Sequence, residues 1–371
     1  MFHLMFSLPG VVVITRFLWP LPMPLSAKAA AGVLILIASQ YHLWSRLSSG
    51  SVFAPEFPRG LILLFNWAFG AILFLALMQI VLDTALLLVM LVKGGATGAP
   101  PALRYTLAGA AAVLAAIGVA QGVRVPPLTE VEIRIPGLPP QFDGYRLLHL
   151  TDLHISRLFP APWTRAVVDA TTALDADLIL VTGDLIDGSV ADRQADVGPL
   201  RDLTAPDGVY VIPGNHEYFF DYSAWMQTYA ALGLRVIENG HVVLTRAGGR
   251  LVLAGVTDLS AQRAGLPGPD LDAALRDAPS GVPIVLMDHQ PMQAPKAAAR
   301  GVALQLSGHT HGGMVAGLDR VVARANAGFV SGRYAIGGMT LYVNNGTGMW
   351  PGFALRLGRP SELTRITLRP L

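Results

Sequence analysis

Five short motifs in this sequence supply side chains that can bind metal ions, and each motif directly follows an apolar run. Imidazole nitrogen together with carboxylate and amide oxygen suits Mn²⁺, Fe²⁺ or Zn²⁺. The chain has no cysteine, which excludes thiolate ligands and thiol nucleophiles. A pair of ions about 3.5–4 Å apart needs about six ligands with one shared between them, and the motifs supply about that number. The motifs are TDLH with Asp152 and His154, GDLID with Asp184 and Asp187, GNHE with Asn215, His216 and Glu217, DHQP with Asp288 and His289, and GHTHGG with His309 and His311.

The apolar runs before and between these motifs are predicted to be β-strands. Helix-like stretches at 163–173, 222–232, 270–276 and 295–299 lie between several of them, and this alternation predicts a layered α/β domain. Such a scaffold places its chemistry in the loops at strand ends, so the motifs are expected to converge there. The predicted strands are 131–135, 145–150, 178–182, 209–213, 251–256, 283–287, 303–307 and 341–344.

Residues 1–124 differ in composition from the rest of the chain. The whole chain is 52% hydrophobic and 14% charged, but only seven of its 27 basic and two of its 25 acidic residues lie in this region. A helix needs about 20 apolar residues to cross a bilayer. We therefore predict a transmembrane region of three to four helices at 1–124, with spans at about 2–19, 29–45, 61–92 and 102–122, followed by one α/β domain at 125–371.

The first apolar segment has two interpretations, a first span or a signal-peptide-like segment. No basic residue precedes it, which favours a span. The basic residues of the predicted loops number four on one side and three on the other, so the positive-inside rule leaves the face of the α/β domain open. The expected location is integral to the inner cell membrane.

No basic stripe accompanies the net charge of +2, so nucleic acid is not an expected partner.

The ordered set D-x-H, G-D, G-N-H-E, H and G-H-T-H resembles the calcineurin-like metallophosphoesterase superfamily, and within it the membrane-associated bacterial YkuE- and YaeI-like branch. The resemblance extends from 145 to about 368 and includes the tail LYVNNGTG…LRLGRPSELTRITL. It implies a four-layer αββα sandwich, in which two facing mixed sheets are flanked by helices and the metals lie at one edge. Relatives usually have Gln where this chain has Met314, and often Ser-Arg where Asn344 and Asn345 stand. These differences are expected to affect the substrate pocket.

The resemblance also implies which residues bind the metals. His216 is expected to lie beside the ions without binding them, and to protonate the leaving oxygen or orient the phosphate. The ligands fall into two sets that share Asp184 as a bridge: Asp152, His154, Asp184 and His311 for the first metal, and Asp184, Asn215, His289 and His309 for the second.

The predicted function is that of a membrane-anchored dinuclear-metal phosphohydrolase. A hydroxide that bridges the metals attacks phosphorus and cleaves a phosphoester or pyrophosphate bond. The expected partners are the membrane and a phosphorylated small-molecule or lipid substrate, and anchoring favours a lipid-linked one; no protein partner is predicted. Phosphomonoesterase and phosphodiesterase activities both remain open. The alternatives are hydrolysis of the UDP-2,3-diacylglucosamine pyrophosphate in lipid A biosynthesis, a catalytically silent membrane sensor or binding protein, and a transporter, which the few polar intramembrane residues disfavour.

Several further residues have mainly structural interpretations. Asp187 and Glu217 either contact substrate or metal ligands, or cap loops. Asp288 is expected at the surface or behind a ligand. Structural positions are expected for the remaining candidates: His3, His42, His149 and His241, and Trp163, Trp225 and Trp350, for which core packing is favoured over the mouth of the pocket.

Overall fold

The computed structural model describes residues 2–95 and 98–371, with side chains from Ser7 onward. The chain forms two compact units. The helical unit comprises Met1–Gly122 and Pro351–Leu357, and the sheet unit comprises Val123–Trp350 and Gly358–Leu371.

The described residues of the helical unit form mostly apolar helices. A π-helical stretch, Val13–Leu18, continues the first helix. The two longest helices, α4 and α5, are long and apolar enough to cross a membrane by length and composition, and they pack against each other. The helices are α1 (Phe2–Val12), α2 (Leu25–Ser39), α3 (Tyr41–Ser49), α4 (Arg59–Lys93) and α5 (Pro101–Gly122).

The apolar segment predicted at 29–45 is divided between α2 and α3. Gln40 lies between the two helices with φ −91° and ψ 17°, and its Nε2 atom donates to Ser7 Oγ at 2.7 Å. The sequence becomes more polar here, changing from LILIAS to YHLWSRLSS, and α3 buries Tyr41 and His42. Apolar length alone does not reveal this break.

The sheet unit contains two six-stranded mixed sheets. In the first sheet, β2, β3, β4 and β5 are parallel, and β12 runs antiparallel to β2. In the second, β7, β8, β9 and β11 are parallel, and antiparallel strands form both edges. The first sheet has the order β1 (Leu128–Ile135), β12 (Leu363–Pro370), β2 (Arg146–Leu150), β3 (Leu178–Thr182), β4 (Val209–Ile212) and β5 (Arg235–Val236). The second has the order β10 (Gly332–Ile336), β11 (Met339–Val343), β9 (Leu304–Ser307), β8 (Ile284–Met287), β7 (Gly249–Gly255) and β6 (Gly240–Arg246).

The two sheets share one apolar core and are flanked by helices. Leu180 and Ile212 of the first sheet pack in the same buried cluster as Leu253 and Met287 of the second. Successive residues of a strand face opposite sides of the sheet. Ala254, the neighbour of Leu253, therefore packs in a separate apolar cluster that includes residues of the flanking helices. This arrangement confirms the predicted α/β sandwich of two facing mixed sheets. The helices are α6 (Ala161–Thr172), α7 (Val190–Val197), α8 (Tyr222–Ala231), α9 (Leu271–Ala274), α10 (Ala294–Ala299) and α11 (Asp319–Ala325).

Four strands were not predicted from the sequence: β5, β6, β10 and β12. β5, β6 and β10 are edge strands with mostly half-buried or exposed side chains, so their apolar signal is weak. β12 pairs with β1 and β2, which lie more than 200 residues earlier in the chain. Such long-range pairing is not visible in local sequence.

The parallel strands place the five motifs at the carboxyl ends of neighbouring strands. β2, β3 and β4 lead into the TDLH, GDLID and GNHE loops, and β8 and β9 lead into DHQP and GHTHGG. The carboxyl ends of adjacent parallel strands lie on one edge of a sheet, so each sheet presents its motifs together.

Candidate metal centre

The backbone of the motif loops adopts a conformation that side-chain-bearing residues rarely take. Five of the seven predicted metal ligands have positive φ values. Such a conformation costs of order 1 kcal/mol or more per residue and persists where surrounding bonds impose it. Here the amides of Asp152 and His154 donate to the carbonyl oxygens of Gly183 and Asp184 at 3.0 and 3.1 Å. The five are Asp152 (52°), His154 (47°), Asp184 (54°), His309 (69°) and His311 (49°).

One group of candidate ligands comprises Asp152, His154 and His311, whose donor atoms lie within 4.8 Å of one another. His311 Nε2 lies 3.4 Å from Asp152 Oδ1 and 3.2 Å from His154 Nε2. Asp184 is close to this group, since its Oδ2 atom lies 3.8 Å from His154 Nε2. All four side chains are buried.

A second group comprises Asp184, His289 and His309, again within 4.8 Å. His289 Nε2 lies 3.3 Å from Asp184 Oδ2. Asn215 joins this group, because its Oδ1 atom lies 3.1 Å from His289 Nε2 and 2.8 Å from His309 Nδ1. The structure therefore brings together the seven residues that the sequence singled out as ligands, with Asp184 in contact with both groups.

The spacing and chemistry of these groups fit divalent ions. Two ligand atoms that bind one ion at about 2.0–2.2 Å lie about 3–4 Å from each other. The distances of 3.2–3.4 Å within the groups match that spacing. Asp152 and Asp184 are carboxylates in an almost fully buried site, and burying a charge without a partner is costly. The donor set of imidazole, carboxylate and amide oxygen is suited to Mn²⁺, Fe²⁺ or Zn²⁺.

Hydrogen bonds behind the candidate ligands fix the orientation of two imidazole rings. His289 Nδ1 lies 2.7 Å from the carbonyl oxygen of Thr182, and His154 Nδ1 lies 3.0 Å from Asp187 Oδ2. A proton on each Nδ1 atom leaves Nε2 free to bind a metal. Thr182 was missed in the sequence, because its contribution is a backbone carbonyl that any residue type could provide.

His216 lies next to the candidate ligands and contacts Asp187. Its Nδ1 atom forms a short contact with Asp187 Oδ1, and its Nε2 atom lies 3.9 Å from Asp184 Oδ2. Burial acts to lower the pKa of His216, but the carboxylates of Asp184 and Asp187 outweigh burial and raise it to about 9. His154, Asp184 and His216 form a third group that could hold an ion, so the expectation that His216 is not a ligand stays a prediction.

Glu217 ties together the loops that carry Asp184 and Asn215. Its carboxylate accepts hydrogen bonds from the amides of Asp184, Leu185 and Gly214 at 2.7–3.1 Å. Tyr229 also donates to it, at 2.9 Å. Burial, with the nearby charge of Asp184, raises the pKa of Glu217. These bonds fit two of the roles expected for Glu217, contact with a candidate metal ligand and capping of loops.

Asp288 was expected at the surface or behind a ligand, and only the second position remains. It is buried, Gln305 Nε2 lies 3.4 Å from its Oδ2, and burial together with the charge of Asp258 raises its pKa to about 8. The expectation for Asn344 is corrected. Asn344 is fully buried and donates to Thr364 Oγ1 at 2.9 Å, so it supports the fold and cannot shape a substrate pocket directly.

Most of the residues given structural interpretations occupy structural positions, but Trp350 is half-buried, so core packing stays a prediction for it. His42, His149, Trp163 and Trp225 are buried. His241 Nδ1 is half-buried in β6 and lies 2.8 Å from the carbonyl oxygen of Ala274. The His3 side chain lies outside the described residues.

Comparisons with known proteins identify the family. The calcineurin-like phosphoesterase family model matches residues 145–313. The uncharacterized metallophosphoesterase YkuE of Bacillus subtilis is 32% identical over 249 residues, which cover 65% of this chain and 85% of YkuE. A transmembrane protein with metallophosphoesterase domain from Danio rerio is 32% identical over 267 residues, 70% of this chain. The chain spans about three fifths of the length of that protein and of its Bos taurus counterpart, 61% and 60%.

Among solved structures, the calcineurin-like phosphoesterase YfkN from Bacillus subtilis matches with 15% identity and a TM-score of 0.37, covering 56% of this chain and 82% of that one. The relatives confirm the family that the ordered motifs predicted. The chain therefore belongs to the calcineurin-like metallophosphoesterase family, and the residues that match the family model lie in its sheet unit.

Proposed function

We propose that this protein is a membrane-anchored phosphohydrolase that uses two divalent metal ions to cleave a phosphoester or pyrophosphate bond. The observation that carries the proposal is the position of Asp184. Its Oδ2 atom lies 3.8 Å from His154 Nε2 and 3.3 Å from His289 Nε2, next to both groups of candidate ligands. A carboxylate in that position can be shared by two ions and offset their mutual repulsion. The proposed ligands are Asp152, His154, Asp184 and His311 for one ion, and Asp184, Asn215, His289 and His309 for the other.

The chain's own residues prepare this site for a phosphoryl group. When bound, the two ions would stabilise charge on the phosphoryl oxygens and lower the pKa of the attacking water. His289 and His154 present Nε2 because their Nδ1 atoms face Thr182 O and Asp187 Oδ2. The Asp184 carboxylate is held by the amide of His216, which donates to Oδ1 at 2.8 Å and leaves Oδ2 facing the imidazoles.

His216 is proposed to protonate the leaving oxygen. Asp187 holds its Nδ1 atom, so the ring is oriented with Nε2 toward the site. A histidine in this arrangement can give a proton to the leaving group and take one back from water afterwards. Asp187 therefore acts through two histidines, since its other oxygen faces His154.

A lipid-linked substrate is supported by apolar side chains beside the motif loops. Phe219 and Met292 are 45% and 41% exposed, and they follow His216 and His289 by three residues each. The ring of Phe219 lies 5.2 Å from that of His216, centroid to centroid. Large exposed apolar side chains next to a polar site are suited to an acyl chain or another apolar leaving group.

Membrane anchoring is supported by two observations. The helices α4 and α5 are long and apolar enough to span a bilayer, and two relatives are named as transmembrane proteins. We propose that residues 1–124 form the transmembrane region, integral to the inner cell membrane, and that 125–371 form the catalytic domain. Fusion of alkaline phosphatase or green fluorescent protein after Leu371 reports which side of the membrane carries the catalytic domain, because each reporter is active on only one side of the membrane.

A hydrolysis panel on the detergent-solubilised full chain tests the function. With Mn²⁺ present, p-nitrophenyl phosphate, bis-p-nitrophenyl phosphate and a nucleotide-lipid pyrophosphate are compared, the last with long and short acyl chains. We expect metal-dependent cleavage and a lower KM for the long-chain substrate. No hydrolysis of any phosphoester by metal-loaded protein would contradict the proposal.

Matched variants test the lipid preference separately. Burying a large apolar side chain against an apolar ligand is worth about 1.5–3 kcal/mol, so Phe219→Ser should raise KM for the long-chain substrate about tenfold or more. The short-chain substrate should be nearly unaffected. Val243→Ser, an exposed apolar position on edge strand β6, serves as control. If the KM values for the long-chain and short-chain substrates are equal in wild type and also in Phe219→Ser, the lipid-linked substrate is contradicted and the proposed substrates are soluble phosphoesters.

A further inference from the structure

Three basic side chains gather where the π-helical stretch Val13–Leu18 ends. Arg104 of α5 donates through Nη1 to the carbonyl oxygen of Arg16 at 2.8 Å. Lys28 of α2 donates to the carbonyl oxygen of Trp19 at 2.7 Å, and its ammonium lies 5.5 Å from the centroid of the Trp19 ring. We call Arg16, Lys28 and Arg104 the basic cluster. All three belong to the helical unit.

Among the residues that the structure describes, a single carboxylate faces the basic cluster. Asp83 Oδ2 accepts from Arg16 Nε at 2.8 Å, and Asp83 Oδ1 accepts from Gln79 Nε2 at 2.7 Å. Arg104 is only 7% exposed, and its described partners are neutral oxygens, Arg16 O and, at 3.2 Å, Gln79 Oε1. Burying a guanidinium group without a counter-ion is costly. The position of Arg104 is therefore suited to an additional anion.

The rest of the helical unit cannot supply that negative charge. Its sequence contains seven basic residues but only two acidic ones, Asp83 and Glu56. Glu56 precedes α4, which rises about 36 Å from Arg59 to Asp83. Three residues span at most about 11 Å, so Glu56 lies about 25 Å or more from Asp83. A helix C-terminus adds only about half an elementary negative charge. The basic cluster therefore keeps an excess positive charge.

Exposed aromatic side chains lie beside the basic cluster. Trp19 follows Arg16 by three residues and is 63% exposed, and Tyr105, next to Arg104, is 50% exposed. Trp and Tyr are enriched where membrane-spanning helices meet the lipid headgroups. Arg104 lies in the first turn of α5, a helix long and apolar enough to cross a bilayer. These positions are typical of residues at the level of the lipid phosphates.

We infer that the basic cluster binds the phosphate group of an anionic phospholipid. Guanidinium groups present forked donors that match phosphate oxygens. Arg16 binds Asp83 through Nε, and 61% of its side chain is exposed, so its outer nitrogen atoms can reach a headgroup. Basic pockets between membrane helices bind anionic headgroups in this way. A zwitterionic lipid brings no net negative charge and is bound more weakly. The inference rests on the membrane anchoring proposed above.

The test places the full chain in nanodiscs that contain phosphatidylglycerol and phosphatidylcholine, and measures the ratio of the two lipids retained on the protein by native mass spectrometry. Wild type should retain phosphatidylglycerol preferentially. One basic residue near a headgroup changes affinity about fivefold, so Arg104→Gln should lower the ratio about fivefold. Arg46→Gln is the matched control. It removes an exposed charge from α3, whose Tyr41 contacts Asn66, about 25 Å along α4 from Asp83. This control should leave the ratio unchanged.

Asp83→Asn gives a prediction of opposite sign. Removing the single carboxylate raises the positive charge of the basic cluster and should increase the retained ratio about fivefold. Arg104→Lys keeps the charge and should retain most of the preference. Each ratio compares two lipids on the same variant, so a general loss of stability cancels. A wild-type ratio equal to the composition of the nanodisc, or one ratio shared by wild type, Arg104→Gln and Asp83→Asn, overturns the inference.

Two further results distinguish the source of the phosphate and the failure of the anchoring. Inorganic phosphate in excess should leave the retained ratio unchanged, because a lipid is also held by its acyl chains. Displacement of phosphatidylglycerol by inorganic phosphate would assign the basic cluster to a soluble anion and overturn the inference. A chain that stays outside the nanodiscs contradicts the proposed membrane anchoring and this inference with it, whereas equal retention of both lipids contradicts this inference alone.

Discussion

Each unit of the protein contains a cluster of polar side chains, and the two clusters differ in how their charges are compensated. In the helical unit both carboxylate oxygens of Asp83 accept hydrogen bonds, from Arg16 Nε at 2.8 Å and Gln79 Nε2 at 2.7 Å. Arg104 donates to Gln79 Oε1 at 3.2 Å and to the carbonyl oxygen of Arg16 at 2.8 Å. This cluster supplies partners for the charge of Asp83.

The metal centre is arranged differently. Oδ2 of Asp184 is surrounded by the Nε2 atoms of three histidines, His154, His216 and His289, at 3.3–3.9 Å. These distances exceed those of strong hydrogen bonds and match the spacing of atoms around a shared ion. In the helical unit both oxygens of the Asp83 carboxylate are occupied by neighbouring side chains, whereas in the candidate metal centre Asp184 Oδ2 faces three imidazole nitrogens at a spacing that a shared ion would fit.

The largest expected effect comes from substituting Asp184, the carboxylate that lies next to both groups of candidate ligands. Asp184→Asn removes the charge that both ions share, and several kcal/mol of transition-state stabilisation correspond to a loss of about 10³-fold or more in kcat. Metal content by mass spectrometry should also fall. Asp83→Asn is the matched control and should leave kcat and metal content unchanged. Equal losses from the two substitutions would remove the distinction between the clusters.

A smaller loss is expected from the histidine that lies beside the candidate ligands. His216→Ala removes the proposed acid for the leaving oxygen, and such groups typically contribute 10²–10⁴-fold, so kcat should fall about 10²-fold. Metal content should stay near the wild-type value, because the two proposed ligand sets remain complete. A variant that loses its metal along with its activity would instead make His216 a ligand, as the group with His154 and Asp184 permits.

Metal removal should affect the stability of the sheet unit and not that of the helical cluster. A ligand that binds only the folded state at about 100 times its Kd stabilises that state by about 2.7 kcal/mol. EDTA treatment should therefore lower the thermal unfolding midpoint of wild type and of Asp83→Asn alike. Asp184→Asn should show little further change with EDTA. If EDTA does not change the thermal unfolding midpoint of wild type, the polar side chains of the candidate metal centre are compensated by one another without ions.

The seven candidate ligands could be found in the sequence because they are recognisable residue types at strand ends, and the structure brings them together. Asp152, Asp184 and His289 carry their chemistry in the side chain, and the parallel strands before them have a strong apolar signal. Other contacts were visible only in three dimensions. Thr182 contributes a backbone carbonyl oxygen, which no residue pattern displays. Pro351–Leu357 packs against Asn66 and the glycines of α4 and α5, and Asn66 and Pro351 are 285 residues apart in the chain.

The differences between the predicted and the observed elements also arise where local sequence carries too little information. The helix break at Gln40 occurs within a continuous apolar segment, so hydropathy alone did not separate α2 from α3. The edge strand β6 has mostly half-buried or exposed positions, and its apolar run, 242–244, is only three residues long. Asp288 was expected at the surface or behind a ligand, and its burial directly after β8 leaves only the second position.

The smallest effect concerns His149, a buried polar side chain of the sheet unit that belongs to neither kind of cluster. Its Nε2 atom lies 2.8 Å from Thr182 Oγ1, and burial lowers its pKa to about 3. Because this folded-state pKa is below the unfolded value of about 6.5, its contribution to stability is present above pH 6.5 and is lost as pH falls toward 3. The loss is about 1.4 kcal/mol per pH unit in that window.

His149→Gln keeps a neutral hydrogen-bonding side chain and removes the titration. The EDTA-treated variant should therefore lose stability less steeply than wild type between pH 6 and pH 4, as measured by the thermal unfolding midpoint. The buried carboxylates of the metal centre titrate in both proteins, so their contribution cancels in the comparison. If the unfolding midpoints of the two proteins fall in parallel as pH falls, His149 binds a proton in the folded protein at low pH. A partner group must then face the protonated ring, as Arg16 and Gln79 face the carboxylate of Asp83.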